Sequence, residues 1–378
     1  MSWPLAKLDN HVDILSGFAF KSENFNDRGE GLPLVRIRDV VPGVSDTYYS
    51  GEYSSEFLLS DGDLLIGMDG DFNRARWNGG QALLNQRVCK VTAKGESLDQ
   101  GYLYHFLPKA LDKIHAETPA VTVKHLSVKG IRAIEIPLPP LPEQKRIAAI
   151  LDKADAIRRK RQQAIQLADD FLRAVFLDMF GDPVTNPKGW ELLPFSAVGT
   201  LDRGKSKHRP RNDPALLGGT HPLIQTGEVA NSRGYIKDYS ATYSDLGLVQ
   251  SKKWDAGTLC ITIAANIAKT GILTFPACFP DSVVGFMPNK HVTVEYVQHW
   301  LGFLQKNLEE NAPQAAQKNI NLEILRALSI PVPPKSEQEK FSSMVAGILA
   351  IEGKIVSSSD TLGNAFDALS QKAFSGQL

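Results

Sequence analysis

The residues of this chain best suited to chemistry are cations set among turn formers. The segment RGKSKHRPR, 203–211, places Arg203, Lys205, Lys207, Arg209 and Arg211 beside His208 with no acid between them. Gly204 and Pro210 argue for a loop there. Such a loop can neutralise phosphates, and the paired donors of an arginine match a guanine edge. A second stretch, GMDGDFNRARWNGG at 67–80, flanks an indole with guanidinium groups: Arg74, Arg76 and Trp77. That grouping suits phosphate anchoring and base contact, and equally suits a tryptophan anchored in a core. Asn266 and Lys269 occupy the matching stretch of the second half. Lys124 and His125 answer Lys318 and Asn319 at a separation of 194. Equivalent polar pairs at both places suit a shared role in gripping a phosphate backbone. Arg36, Arg38, Lys252 and Lys253 are weaker candidates for the same work.

Other chemistries lack their residues. GTLDRGKS, 199–206, satisfies the phosphate-loop pattern letter for letter, but such a loop must open directly into a helix. Pro210 and Pro214 follow too closely for that. Cys89, Cys260 and Cys278 are far apart, with no paired spacing for metal or disulfide, and read as buried reduced thiols. No Asn-Pro-Pro-aromatic or Asp-Pro-Pro-aromatic tetrad is present, so the amino-methyltransferase site is missing. The expectation is a chain that catalyses nothing and needs neither metal nor cofactor.

The elements that must position these cations follow from a repeat. The 378 residues are 43% hydrophobic and carry 42 basic against 42 acidic groups, so the chain folds as a globular protein and any basic surface is local. Neither a secretory leader nor an apolar run of membrane-spanning length is visible, and the cytoplasm is the expected compartment. Trp3 returns as Trp190, Pro33-Leu34-Val35 as Pro222-Leu223-Ile224, and IPLPPLPEQ at 136–144 as IPVPPKSEQ at 330–338. Two copies of one unit fill the chain. Upstream of each proline junction, short apolar runs such as GDLLIG and GTLCITI alternate with turn formers, as in a mixed α and β globule.

Downstream the period changes to three and four. Ile147, Ile150, Ala154, Ile157, Ala164, Ala168, Phe171 and Val175 form one stripe, widened by Leu151, Ile165, Leu172 and Phe176. Phe341, Val345, Ile348, Ile355, Leu362, Phe366 and Leu369 form its counterpart. Each spells a helix of about 37 residues and ~55 Å, which needs a partner to cover its apolar side. The expected fold is α+β: globules at 1–141 and 182–335, long helices at 142–181 and 336–378. The helices are expected to form an antiparallel intramolecular coiled coil, and the globules a pseudo-twofold tandem repeat. Between Lys145 and Arg161 the first helix carries seven basic residues against Asp152 and Asp155, a face suited to partner docking.

The order globule, PEQ or SEQ junction, long helix, MFGDPVTNPKGW, second globule, second helix and terminal AFSGQL closely resembles the specificity subunit of type I restriction-modification systems. The resemblance covers essentially the whole chain. It implies that each globule is a target recognition domain reading one half of a bipartite, asymmetric site in double-stranded DNA. It also implies that the helices set half-site spacing and dock two modification (methyltransferase) subunits, with restriction subunits as further partners. The competing reading is a coiled-coil assembly scaffold whose globules bind protein or carbohydrate.

Overall fold

In a computed structural model of the chain, residues 3–119, 123–208, 210, 213–264, 268–310 and 320–378 are described, those at 306–310, 354–365 and 367 by backbone alone. The chain divides into two compact units, Met1–Gln162 with Val356–Leu378, and Gln163–Ile355. Each unit therefore holds one globule, the first half of one long helix and the last half of the other.

In the first unit the run Leu64–Gly67 is apolar throughout and wholly buried, and it lies inside a four-stranded antiparallel sheet. Its neighbours are Val88–Ala93, which also pairs Val12–Ser16, and Arg74–Arg76. A second sheet of five short strands runs Phe25–Asn26, Tyr48–Tyr49, Leu32–Val35, Ala82–Leu84 and Leu58–Leu59. The helix Gln100–Glu117 is N-capped by Asp99, whose carboxylate accepts the Tyr102 N–H at 2.9 Å. Leu5–Lys7 pairs Glu135–Pro137, closing the globule just before the long helix begins.

The second unit repeats this plan. Leu259–Thr262 lies between Val283–Pro288 and Thr270–Leu273, Gly199–Arg203 flanks the sheet, and Gly234–Ile236 adds a parallel edge. Leu217–Leu223, Ala277–Cys278 and Lys253–Trp254 take the places of Leu32–Val35, Ala82–Leu84 and Leu58–Leu59. Glu191–Pro194 pairs Ser329–Val332 as the closing ladder. The three cysteines are free and buried, and burial pushes the Cys89 thiol up to about 12.

The long helices span Leu141–Phe180 and Lys335–Ser375. They run antiparallel in each unit. In the first unit Arg146 Nη2 donates to the carbonyl of Leu378 at 3.0 Å, while Arg158, farther along, lies over the Phe366 ring at 5.2 Å. Advancing on one helix is retreating on the other. In the second unit Phe176 and Phe180 both lie against Phe341, at 5.5 and 5.6 Å between ring centres.

Each helix half packs against both its globule and its partner helix. Ile147, Ala148, Leu151 and Ala373 share a core with Leu103, Leu107 and Ile136, joined at its edge by Phe366 and Leu369. Leu172, Phe176, Phe180, Phe341 and Val345 share one with Phe195, Phe286 and Trp300, with Val175 and Ile348 at its edge. Ile150, Ala154, Ala164 and Ala168 are half-buried. Two residues expected in the seam face outward instead: Ile157 is 37% exposed and Phe171 51% exposed. A stripe covered from two directions is centred on Leu151, Ile165, Leu172 and Phe176, and residues at the margin of a simple three-four count fall outside it. The side chains of Ile355 and Leu362 lie outside the described residues.

One side chain in each copy joins helix to globule. Gln144, in the first turn of its helix, donates from Nε2 to the carbonyls of Pro139 (2.8 Å) and Ser97 (3.0 Å), and its Oε1 accepts the Asp99 N–H (2.9 Å). Gln338 does the same with Pro333 (2.8 Å), His291 (3.0 Å) and Thr293 (2.9 Å). Both are buried. The second clamp is a phenol: Tyr102 and Tyr296 donate to the carbonyls of Pro137 and Pro331 at 2.8 and 2.7 Å.

Replacing Gln338 with Leu strands two carbonyls and one N–H in the interior, at a cost of about 2–4 kcal/mol. Chemical denaturation of the full chain should show this loss for Gln338→Leu and a comparable one for Gln144→Leu. The exposed pair partner Lys340→Ala should stay within ~1 kcal/mol. Equal effects from all three would refute the role given to the glutamines.

Candidate nucleic-acid interface

In the second unit the strand Gly199–Arg203 ends in the basic segment, and the phosphate-loop look-alike is therefore mostly strand. Gly204 turns under the Phe279 and Pro280 carbonyls, where a Cβ would come within 2.2–2.3 Å, so a side chain is excluded at that bend. Beyond it the loop is tied to residues over forty positions away. Gln250 Oε1 accepts the N–H groups of Lys207 (2.6 Å) and His208 (3.1 Å), and Ser251 Oγ donates to the Lys205 carbonyl at 2.8 Å. These bonds hold Arg203, Lys205 and Lys207 beside Lys252 and Lys253, which sequence placed far apart.

The cations differ in their freedom. Lys252 lies over the Trp254 ring at 3.7 Å and reaches Asp202 at 3.3 Å. His208 Nε2 meets Asp213 Oδ2 at 3.0 Å. Arg203, Lys205, Lys207 and Lys253 are exposed and form no ion pair among the described residues. Four unneutralised cations on one surface create a local positive potential that attracts a polyanion. Lys269 is exposed and within 3.4 Å of Gln305 Oε1. Arg209, Arg211, Asn266, Lys318 and Asn319 lie outside the described residues.

The first unit corrects the reading of its arginine and tryptophan stretch. Trp77 is 1% exposed, packs with Val35, Leu59 and Leu65, and donates from Nε1 to the Gly80 carbonyl at 2.7 Å. It is a core residue and cannot reach a duplex. Arg74 and Arg76 lie on a strand, stacked on the Tyr104 ring at 3.7 and 4.1 Å. Arg76 also pairs with Asp152 of the long helix at 2.9 Å, as does His105. Burial pulls the Arg74 guanidinium below its usual range and the His105 imidazole below its own. These cations bind the globule to its helix. Composition could not separate the two fates, since arginine beside an aromatic is equally the content of an internal stack.

Elsewhere in this unit, Lys124 donates to the His115 carbonyl and its own carbonyl accepts the Gly70 N–H at 3.0 Å. His125 is exposed, 2.6 Å from Asp69, which also lies 3.5 Å from Arg87. Arg87 was not among the expected residues. It is 57% exposed at a left-handed backbone position, φ 74°, and no local motif announces it. Arg36 is half-buried, and Arg38 donates to Thr47 Oγ1 at 3.2 Å. On the long helix, Asp155 neutralises Arg158 and Arg159 at 2.8 and 3.2 Å, while Lys145, Lys153 and Lys160 remain exposed. Among the described residues there is no cluster of metal-ligating side chains, and no helix is long and apolar enough to cross a membrane.

Comparison with known proteins gives the surface a context. The family model of the type I restriction modification DNA specificity domain matches the chain twice, at residues 2–167 and 187–351. The specificity subunit of the type I restriction enzyme EcoBI from Escherichia coli is 29% identical over 410 residues, covering 100% of this chain and 86% of that protein. The corresponding EcoKI subunit from Escherichia coli strain K12 is 20% identical over 419 residues, covering 100% and 89%. The crystal structure of a type I restriction-modification S subunit from M. genitalium shares the fold, with a TM-score of 0.66 at 15% identity over 99% of this chain and 96% of that one.

If the second unit's free cations hold phosphates, Lys205→Ala with Lys207→Ala should lower the log–log salt slope of duplex binding by about 2. Fluorescence anisotropy across a salt series measures it. Arg74→Ala, by contrast, should cost stability and leave the slope of the folded protein unchanged; a lowered slope would return Arg74 to the interface.

Proposed function

The chain belongs to the type I restriction-modification DNA specificity family, and we propose that each of its two globules reads one half of an asymmetric bipartite target in duplex DNA. It is a recognition subunit: catalysis belongs to the other members of a restriction-modification complex. The observation that carries the two-headed reading is the family match falling once on each repeat. The free cations of 203–207 and 253 support it, because exposed cations without acid partners among the described residues can hold phosphates.

Target asymmetry follows from that difference. The two globules share strand order and the glutamine clamp, yet offer unlike side chains: the strand Gly199–Arg203 runs on into Lys205 and Lys207, whereas its counterpart Val12–Ser16 runs on into Phe18 and Phe20. Unlike surfaces select unlike half-sites. Globules at 1–141 and 182–335 are the reading heads, and the helices at 142–181 and 336–378 are the spacer. Two modification subunits dock on the helices, where exposed Lys145, Lys153 and Lys160 offer a cationic face, with restriction subunits joining them. The work is done in the cytoplasm, where the duplex is.

Lengthening both helices by one heptad, about 10 Å of rise, should change the preferred half-site separation while both half-site sequences persist. Methylation mapping with the modification partner reads this out. Exchanging 190–330 for another family member's globule should alter one half-site alone. Changed half-sites at unchanged spacing would refute the division of labour.

A further inference from the structure

The second unit contains a cavity of about 260 Å³ bounded by both long helices and the globule. Asp169 and Arg173 line it from the first helix, Glu352 from the second, and Arg233, Thr270 and Gln298 from the globule, with His299 and Phe303 among the aromatic walls. Glu352 is only 9% exposed, and its Oε1 has no hydrogen-bond partner. Asp169 is exposed, at the open side. Arg233 and Arg173 make no ion pair among the described residues, and Arg173 instead lies over the Phe303 ring at 4.3 Å.

The repeat shows what such a space holds. In the first unit the strand position matching Thr270 is Arg74: Arg74 pairs Ile66 in register, and Thr270 pairs Ile261. The helix position matching Gln298 is Tyr104, and that matching His299 is His105, each 194 residues earlier. There the guanidinium of Arg74 stacks on Tyr104 at 3.7 Å, and Arg76 pairs with the helix carboxylate Asp152. The first copy thus fills the junction with its own cations and meets helix acids with them. In the second copy Thr270 and Ile272 replace both arginines, Gln298 replaces the ring beneath them, and Ala346 stands at the helix position of Asp152, while Asp169 and Glu352 face the space from other helix positions. A buried carboxylate with an unpaired oxygen is costly, and a cation delivered to it forms a charge-assisted bond.

We propose that this cavity binds a small organic cation bearing a guanidinium or alkylammonium group, held by Glu352 at the buried end and Asp169 at the open one. The vacant place of the arginine side chain sets the size of the ligand, and Glu352 and Asp169 set its charge. Tyr235 supplies a ring in the cavity wall against which such a group stacks, as Tyr104 does for Arg74. This site is separate from the cations at 203–207 and 253, and it stands whether or not the DNA reading does.

Isothermal titration of the full chain with methylguanidinium, against methylurea as the uncharged analogue of the same shape, tests it. The expected result is saturable binding of methylguanidinium with a dissociation constant of about a millimolar or tighter, and at least roughly tenfold weaker binding of methylurea. Glu352→Gln, which preserves the shape, should weaken the cation by a similar factor. Thr270→Arg with Gln298→Tyr imports the plug of the first copy and should abolish binding while leaving the melting temperature unchanged or raised. No saturable binding to the parent chain, equal binding of the two probes, or unimpaired binding by the folded Glu352→Gln chain would each overturn the proposal.

Discussion

A carboxamide buried at the foot of each long helix decides how the helix meets its globule. Gln144 and Gln338 each spend three hydrogen bonds on backbone groups from two segments: the proline turn before the helix, and the loop that starts the globule's own helix. Such groups have no water to fall back on, so any tilt of the helix leaves several of them unsatisfied together. The phenols of Tyr102 and Tyr296 add a second point of attachment on the closing strand. Two attachments fix an angle where one would fix only a position. A recognition subunit needs that stiffness, because a reading surface that pivots on its spacer cannot hold a register on DNA.

Around this shared joint the two copies have diverged in how they close the contact between globule and helix. The first closes it with charge: Arg76 and His105 converge on Asp152, and Arg74 stacks nearby. Burial works against the Asp152 carboxylate, yet the bonds from His105 and Arg76 outweigh it and hold the group below its usual range. The second copy closes the contact with rings: Phe176 stacks on Tyr296 at 5.5 Å and meets Phe303 at 5.0 Å and Phe341 at 5.5 Å. Aromatic packing is less demanding of geometry than an ion pair network, and it leaves unfilled volume beside it. Desolvation raises both Glu352 and Asp169, which line that space, above the ordinary carboxylate range.

Much of the architecture was legible in one dimension. The duplication and the long helices could be read because each is a periodic signal summed over many residues. The basic character of 203–211 was legible for a simpler reason: five cations in nine residues without an acid cannot be buried. Single residues fared differently. Trp77, Arg74 and Arg76 had the composition of a nucleic-acid contact and the location of a core and a joint. Ile157 and Phe171 fitted a three-four rhythm and ended outside it.

Sequence alone determined that two like units exist, that each pairs a mixed globule with a long amphipathic helix, and where the densest run of basic residues lies. Periodicity and composition are local properties, and local properties survive projection onto a line. Only the tertiary structure decided that Gln250 and Ser251 bring Lys252 and Lys253 to the basic loop, that the PEQ glutamine is a clamp, and that an acid-lined cavity opens where the other copy seats an arginine. Those outcomes depend on which groups meet across forty or more residues of chain, and hydrogen bonds and packing enforce such meetings without leaving a spacing rule behind.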